Sequence, residues 1–320
     1  MMNLAAGFTA LFFAWTAAVA AQAYPAKPIR VVVPILKGSG ADIAARIVAE
    51  DLSRTFKQAV TVENRPGAGG QVGGQVVLGA EPDGYTLLVH SASYAANAVS
   101  FRNLPYDPLK DFIDVALLGV TPYVMVTAKG GAYPSLASLI AAAKAKPGVI
   151  PFASAGVGSS THFAAEYFTL LAGVKMLHIP YKGTPEAVRD TMAGSTAFYM
   201  APVNTAVDQI RKGKLTALGA TTSSRAAVLP AVPTIAEQGL AKYEFSVWFG
   251  MWARSGTPAS VVQKLNAQVN ASQQGAAVRA QYDKLGIASV PMKPEEFAKF
   301  VRDEIATYRR IAAQANIKQQ

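Results

Sequence analysis

The chain has 320 residues, a net charge of +10 and no cysteine. The missing thiols exclude disulfides, thiolate metal sites and a lipidated N-terminal Cys. The Lys and Arg are scattered, never interleaved with aromatics, and match no nucleic-acid-binding signature, so the charge reads as solubility and attraction of small anions.

Residues 4–21 are apolar and run into Ala21-Gln22-Ala23, a small-residue cleavage pattern. Residues 1–23 are therefore expected to be a secretory signal peptide, with an uncleaved anchor helix as the alternative. Strands then alternate with helices. An apolar run over 29–33 predicts a strand buried on both faces, and Ile43, Ile47, Leu52 and Phe56 recur at helical spacing after it. A short strand at 60–62 leads into the loop Glu63-Asn64-Arg65-Pro66-Gly67-Ala68-Gly69-Gly70. Pro82-Asp83-Gly84 turns the chain into a strand over 85–89. The long apolar stretch 115–126 predicts a strand that leaves one domain and enters another. Helices follow at 136–145, 161–171 and 184–193, the last with Thr184 as N-cap and Pro185 in the first turn, then another around Val207 and Ile210. A strand over 215–220 is read as the return crossover. Two C-terminal helices carry Val261, Val262, Leu265 and Val269, then Phe297, Phe300, Val301, Tyr308 and Ile311.

This punctuation predicts an α/β protein with mostly parallel sheets, its second domain inserted in the first. The expected limits are 24–120 and 221–320 for domain one and 121–220 for domain two. Mature length suffices for two cores held without disulfides.

Twice, a short strand enters a Gly/Ser loop that opens into a helix. Helix N-termini carry unpaired N–H groups and partial positive charge, so both loops are candidate anion cradles. In the first, Gly38, Ser39 and Gly40 bring backbone close to a ligand, Asp42 is an N-cap or a ligand-side group, and Lys37 is an anion partner or a solvated cation. The second holds Ser154, Gly158, Ser159, Ser160, Thr161 and His162; Ser159 or Ser160 caps the helix, leaving the other hydroxyls for a carboxylate. His178-Ile179-Pro180-Tyr181-Lys182-Gly183-Thr184 repeats the geometry, offering Tyr181 and Lys182. Ser91, Tyr94 and the pair Trp248-Phe249 are candidates for the cleft wall, with core packing the alternative for the three aromatics.

No metal-ligand spacing, phosphate loop, dinucleotide fingerprint or nucleophile elbow is present, so no cofactor, no metal and no catalysis are expected. A secreted hydrolase using a serine of the second loop is the enzymatic alternative, and a sensory receptor or adaptor is the non-enzymatic one.

Several segments in order resemble the Bug-type periplasmic receptors of tripartite tricarboxylate transporters: Tyr24-Pro25 to Arg30, the loop 62–70, Pro82-Asp83-Gly84-Tyr85-Thr86-Leu87-Leu88, Tyr106-Asp107, 154–162, 178–183, Gly213-Lys214-Leu215 and Pro230-Ala231-Val232-Pro233-Thr234. The resemblance covers nearly the whole mature chain. It implies a type II-like clamshell, monomeric and non-catalytic, that holds a small organic carboxylate between its domains at the loops 34–42 and 154–162 and delivers it to a membrane permease. One departure is the first loop, where Ile35, Leu36 and Lys37 replace the family's usual aromatic and small residues. A dicarboxylate or an aromatic carboxylate suits that wall.

Overall fold

The β-branched run Ile-Arg-Val-Val-Val builds β1 (Ile29–Val33), buried at four of its five positions and paired in parallel with β2 (Val60–Asn64) and β3 (Thr86–Ser91). The structure is a computed structural model that describes residues 24–320; the expected signal peptide lies outside the described residues. Helices α1 (Gly40–Phe56), α2 (Gln71–Leu78) and α3 (Ser93–Ser100) complete the first half of one lobe.

A 17-residue strand, β4 (Phe112–Ala128), then spans the molecule. Its first part pairs with β9 (Ser246–Arg254) through Phe112↔Arg254 to Pro122↔Ser246. Its second part pairs with β7 (Phe198–Pro202) and β8 (Leu215–Ala220). The second lobe adds α4 (Leu136–Ala145), β5 (Pro151–Ser154), α5 (Ser160–Ala172), β6 (Leu177–Pro180), α6 (Thr184–Met192) and α7 (Val203–Arg211). After β9, α8 (Ala259–Gln274), α9 (Ala276–Leu285) and α10 (Pro294–Gln314) follow, and α8 and α10 pack on β4. The sheet order is β2-β1-β3-β9-β4-β7-β5-β6, with β8 on β4.

The result is the α/β two-domain clamshell expected, with a mixed sheet. Pairings within each lobe's βαβ units are parallel, as expected; the antiparallel ones all involve β4 or β9, which run through the waist in opposite directions. The return strand also differs from expectation. The segment 215–220 stays in the second lobe as β8, and the chain re-enters the first lobe through β9. Thr221 ties the two crossings together: its Oγ1 donates to Phe245 O at 2.6 Å and accepts from Tyr123 N–H at 2.9 Å.

Both cradle loops stand at the carboxyl ends of parallel strands, where an open α/β sheet places its ligands. The α5 cap is Ser159, whose hydroxyl accepts from His162 N–H, and the helix ends at Gly173 in the left-handed conformation at φ +63°. The α6 cap is Gly183 rather than Thr184, which is the first helical residue and whose Oγ1 accepts from the Tyr199 hydroxyl at 3.1 Å. Among the described residues no helix is long and apolar enough to cross a membrane.

Candidate functional site: the interlobe cleft

A cleft of about 1060 Å³ lies between the lobes, lined from both sides. The first lobe supplies Pro34 to Leu36, Gly40, Ala41, the Gly-rich segment Pro66 to Gly70, and His90, Ser91, Ser93 and Phe101. The second supplies Ala155 to Val157, Ser159 to Thr161, Pro180 to Lys182, Thr184, Glu186 and Pro202, with Val247 and Phe249 contributed by β9.

In the first loop, Asp42 turns inward. Its carboxylate accepts from Gly38 N–H at 2.8 Å, from the Arg46 guanidinium at 3.0 Å and from Asn64 Nδ2 at 2.9 Å. Burial pushes this carboxyl up, but those three donors outweigh it and hold it below the usual carboxylate range. Asp42 is thus the third helical residue reaching back across the cap, and Ser39, at the cap, makes no side-chain capping bond. Two expected donors are consumed: Gly38 N–H by Asp42 and Ser39 N–H by Leu36 O at 3.1 Å. Lys37 is exposed outside the cleft wall. Gly40 does line it.

The second loop also binds itself, contrary to the expectation of spare hydroxyls. Thr161 Oγ1 accepts from Ala155 N–H at 2.8 Å, Ser154 Oγ from Gly156 N–H at 3.1 Å, and His162 Nδ1 from Gly158 N–H at 3.4 Å. Ser159 Oγ donates to Gly156 O at 2.6 Å. Ser160 Oγ accepts from the Tyr123 hydroxyl at 2.7 Å and lies 3.2 Å from Ser93 Oγ of the other lobe. Ser154 is 0% exposed, behind the wall, with its Oγ 2.6 Å from His178 Nε2. The His178 ring stacks on His162 at 4.0 Å; burial and that second imidazole push its pKa down to about 3. Among the described residues no serine side chain pairs with a histidine ring at the cleft surface, so the hydrolase alternative has no geometric basis there.

What the loops leave open is backbone. Among the described residues the N–H groups of Gly40, Ala41, Val157 and Thr161 have no protein partner: each precedes the first intrahelical bond of α1 or α5, namely Ile43 N–H to Ser39 O and Phe163 N–H to Ser159 O. All four residues line the cleft, two from each lobe, and the positive ends of α1 and α5 reinforce them.

Of the other candidates, Ser91, Ser159, Ser160, Thr161, Tyr181 and Lys182 are on the wall, and Gly158 and His162 are just behind it. Tyr94 and Trp248 are not in the cleft. Tyr94 is 1% exposed, stacks on Trp252 at 4.0 Å and donates to Pro108 O. Trp248 is also 1% exposed and donates from Nε1 to Glu304 at 2.7 Å. Alternation along β9 explains Trp248: neighbouring side chains point to opposite faces, so Phe249 meets the cleft and Trp248 the helices behind.

Sequence reasoning missed Phe101, Ser93, His90 and the wall made by the loop 66–70; of the pair Trp248-Phe249 it is Phe249 that lines the cleft. His90 is fully buried; its Nδ1 accepts from Ser91 N–H at 2.9 Å, while Nε2 has no hydrogen-bond partner. Burial pushes its pKa down to about 3, so it stands as a neutral Nε2–H donor. Its place at the end of β3 was the available signal.

Residues 44–317 match the family model described as "Tripartite tricarboxylate transporter family receptor". The chain belongs to this receptor family. It is 36% identical to protein BugT of Bordetella pertussis over 304 residues, covering 94% of this chain and 93% of that one. It also superposes on R. palustris Rpa4515, solved with adipate, with a TM-score of 0.90 at 29% identity, covering 93% of this chain and 100% of that one. MatC of Rhodopseudomonas palustris, solved with bound malate, gives a TM-score of 0.85 at 31% identity over 90% and 99% of the two chains. The family is one of solute receptors rather than enzymes, and this receptor shares the family's fold over nearly its whole described length.

Proposed function

We propose that this receptor captures a small organic carboxylate, a dicarboxylate or an aromatic carboxylate, and delivers it to the permease of a tripartite tricarboxylate transporter. It works as a monomer in the periplasm, exported by the signal peptide at 1–23. One closing unit is 24–120 with the chain from Ser246 onward, and the other is the chain between them. The observation that carries this reading is the set of four unpaired amides, Gly40, Ala41, Val157 and Thr161, two from each lobe on one cleft. One carboxylate offers four lone-pair sites and satisfies donors from both lobes at once. The ligand therefore stabilises the closed arrangement over the open one. Bound adipate and malate in the two neighbours support the chemical class.

The test is a thermal-shift screen of the protein beginning at Tyr24 against mono-, di- and tricarboxylates, after removal of copurified ligand. A ligand at about a hundred times its Kd adds roughly 2.7 kcal/mol and raises Tm by a few degrees. A rise confined to particular carboxylates supports the proposal. No rise with any carboxylate contradicts it.

A further inference from the structure

The lobes already touch around the cleft. Asn204 Nδ2 of the second lobe donates to Gly40 O of the first at 3.1 Å, and a Cβ on Gly183 would lie 3.3 Å from Leu36. Phe101 closes another edge: Cβ atoms built on Gly69 of its own lobe and Gly158 of the opposite one would lie 3.0 and 3.2 Å from its ring. The volume of about 1060 Å³ thus belongs to a closed form and stands at the top of the roughly 300–1,000 Å³ that drug-sized ligands fill. A short diacid leaves most of it to water.

The walls of that volume are mainly apolar. Phe249 lies beside the unpaired Gly40 amide, its ring 3.0 Å from where a Gly40 Cβ would sit. A ligand carboxylate on that amide brings the atoms next to it against the Phe249 ring. Leu36 and Val157 face the same space, and Gly67, Gly69 and Gly70 present side-chain-free backbone to it.

Charge completes the case. The wall carries one cation, Lys182, and one anion, Glu186, whose Oε2 accepts from the backbone N–H of Lys182 at 3.1 Å. No arginine lines the cleft, and His90 is neutral. The amides answer one carboxylate. A second would enter a mainly apolar space whose wall sums to no net charge, Lys182 against Glu186, and burial of an uncompensated charge is costly.

Building on the carboxylate reading, we propose that the ligand is an aryl monocarboxylate, its carboxylate on the four amides and its ring against Phe249 and Phe101. This narrows the class and sets the receptor apart from its adipate- and malate-bound neighbours.

The experiment is calorimetric titration of the mature protein with 2-naphthoate, adipate, malate and the matched pair benzoate and terephthalate, which differ by one carboxylate. The expected result is 2-naphthoate binding at least about tenfold more tightly than adipate or malate, and benzoate more tightly than terephthalate. Glu186→Gln keeps an acceptor for the Lys182 backbone N–H but removes the charge, so it should improve terephthalate binding by about threefold and benzoate binding by less. If adipate or malate comes within tenfold of 2-naphthoate, or terephthalate outbinds benzoate, the aryl assignment fails while the carboxylate reading stands. If none of the five binds, the carboxylate reading itself falls.

Discussion

The carboxylate of Asp42 accepts from Gly38 N–H, Arg46 and Asn64 at once, and so fixes the backbone course that leaves the Gly40 and Ala41 amides free. Asp42→Ala strands those donors and is expected to cost about 2–3 kcal/mol in urea unfolding, with weaker carboxylate binding in the surviving fold. The buried histidines make a second prediction. His90 and His178 are held neutral, each with a folded pKa near 3 against 6.5 unfolded. The unfolded chain therefore binds more protons between about pH 6.5 and 3. Their contribution is complete above pH 6.5 and declines as pH falls through that window. Asp42, with its depressed pKa, adds to the loss in acid. Asp114 works oppositely: burial pushes it up to about 6, so protonation relieves it between about pH 6 and 4. Comparing His178→Asn with the parent isolates one histidine: the variant's stability should fall less steeply with acidification, by up to one proton, and parallel curves would contradict the account. None of this was visible in sequence, where His162 and His178 sit sixteen positions apart and their stacking depends on β5 and β6 lying side by side.

At the scale of elements, the strand–loop–helix cradles were legible because glycine and serine clusters between an apolar run and a helical pattern leave the backbone few alternatives. What the loops do internally was not: Thr161 bonding back to Ala155, or Ser160 to Tyr123, depends on chain geometry rather than on composition. The return strand was missed for a related reason. In β9, Trp248, Phe249, Met251 and Trp252 are buried on both faces, so the run lacks the alternation that marks a half-exposed strand. One inter-element contact yields a prediction. Asn204, near the start of α7, donates to Gly40 O at the start of α1 and joins the lobes. Its removal in Asn204→Ala should weaken closure by about 1 kcal/mol, lowering carboxylate affinity roughly fivefold while the far-ultraviolet spectrum is unchanged. Unaltered affinity by calorimetry would show that this bond has no part in closure.

At the scale of the whole molecule, two lobes share β4 and β9, and Thr221 cross-links the crossings at the waist. Hydrophobic periodicity was enough to expect a strand passing between domains, because 115–126 is too long and too apolar for one small sheet. The way the lobes meet was not readable, since the contacts Leu36–Gly183, Gly40–Asn204 and Ser93–Ser160 join residues far apart in the chain. Those contacts bring the Gly40 and Ala41 amides to the same cleft as those of Val157 and Thr161. The central claim is that one ligand carboxylate engages both pairs. Amide-resolved NMR titration of uniformly 15N-labelled mature protein with a binding carboxylate tests it directly. The N–H resonances of Gly40, Ala41, Val157 and Thr161 should shift together, all reporting the same Kd. Shifts confined to one lobe, or absent from all four amides while the ligand binds elsewhere, would contradict the account.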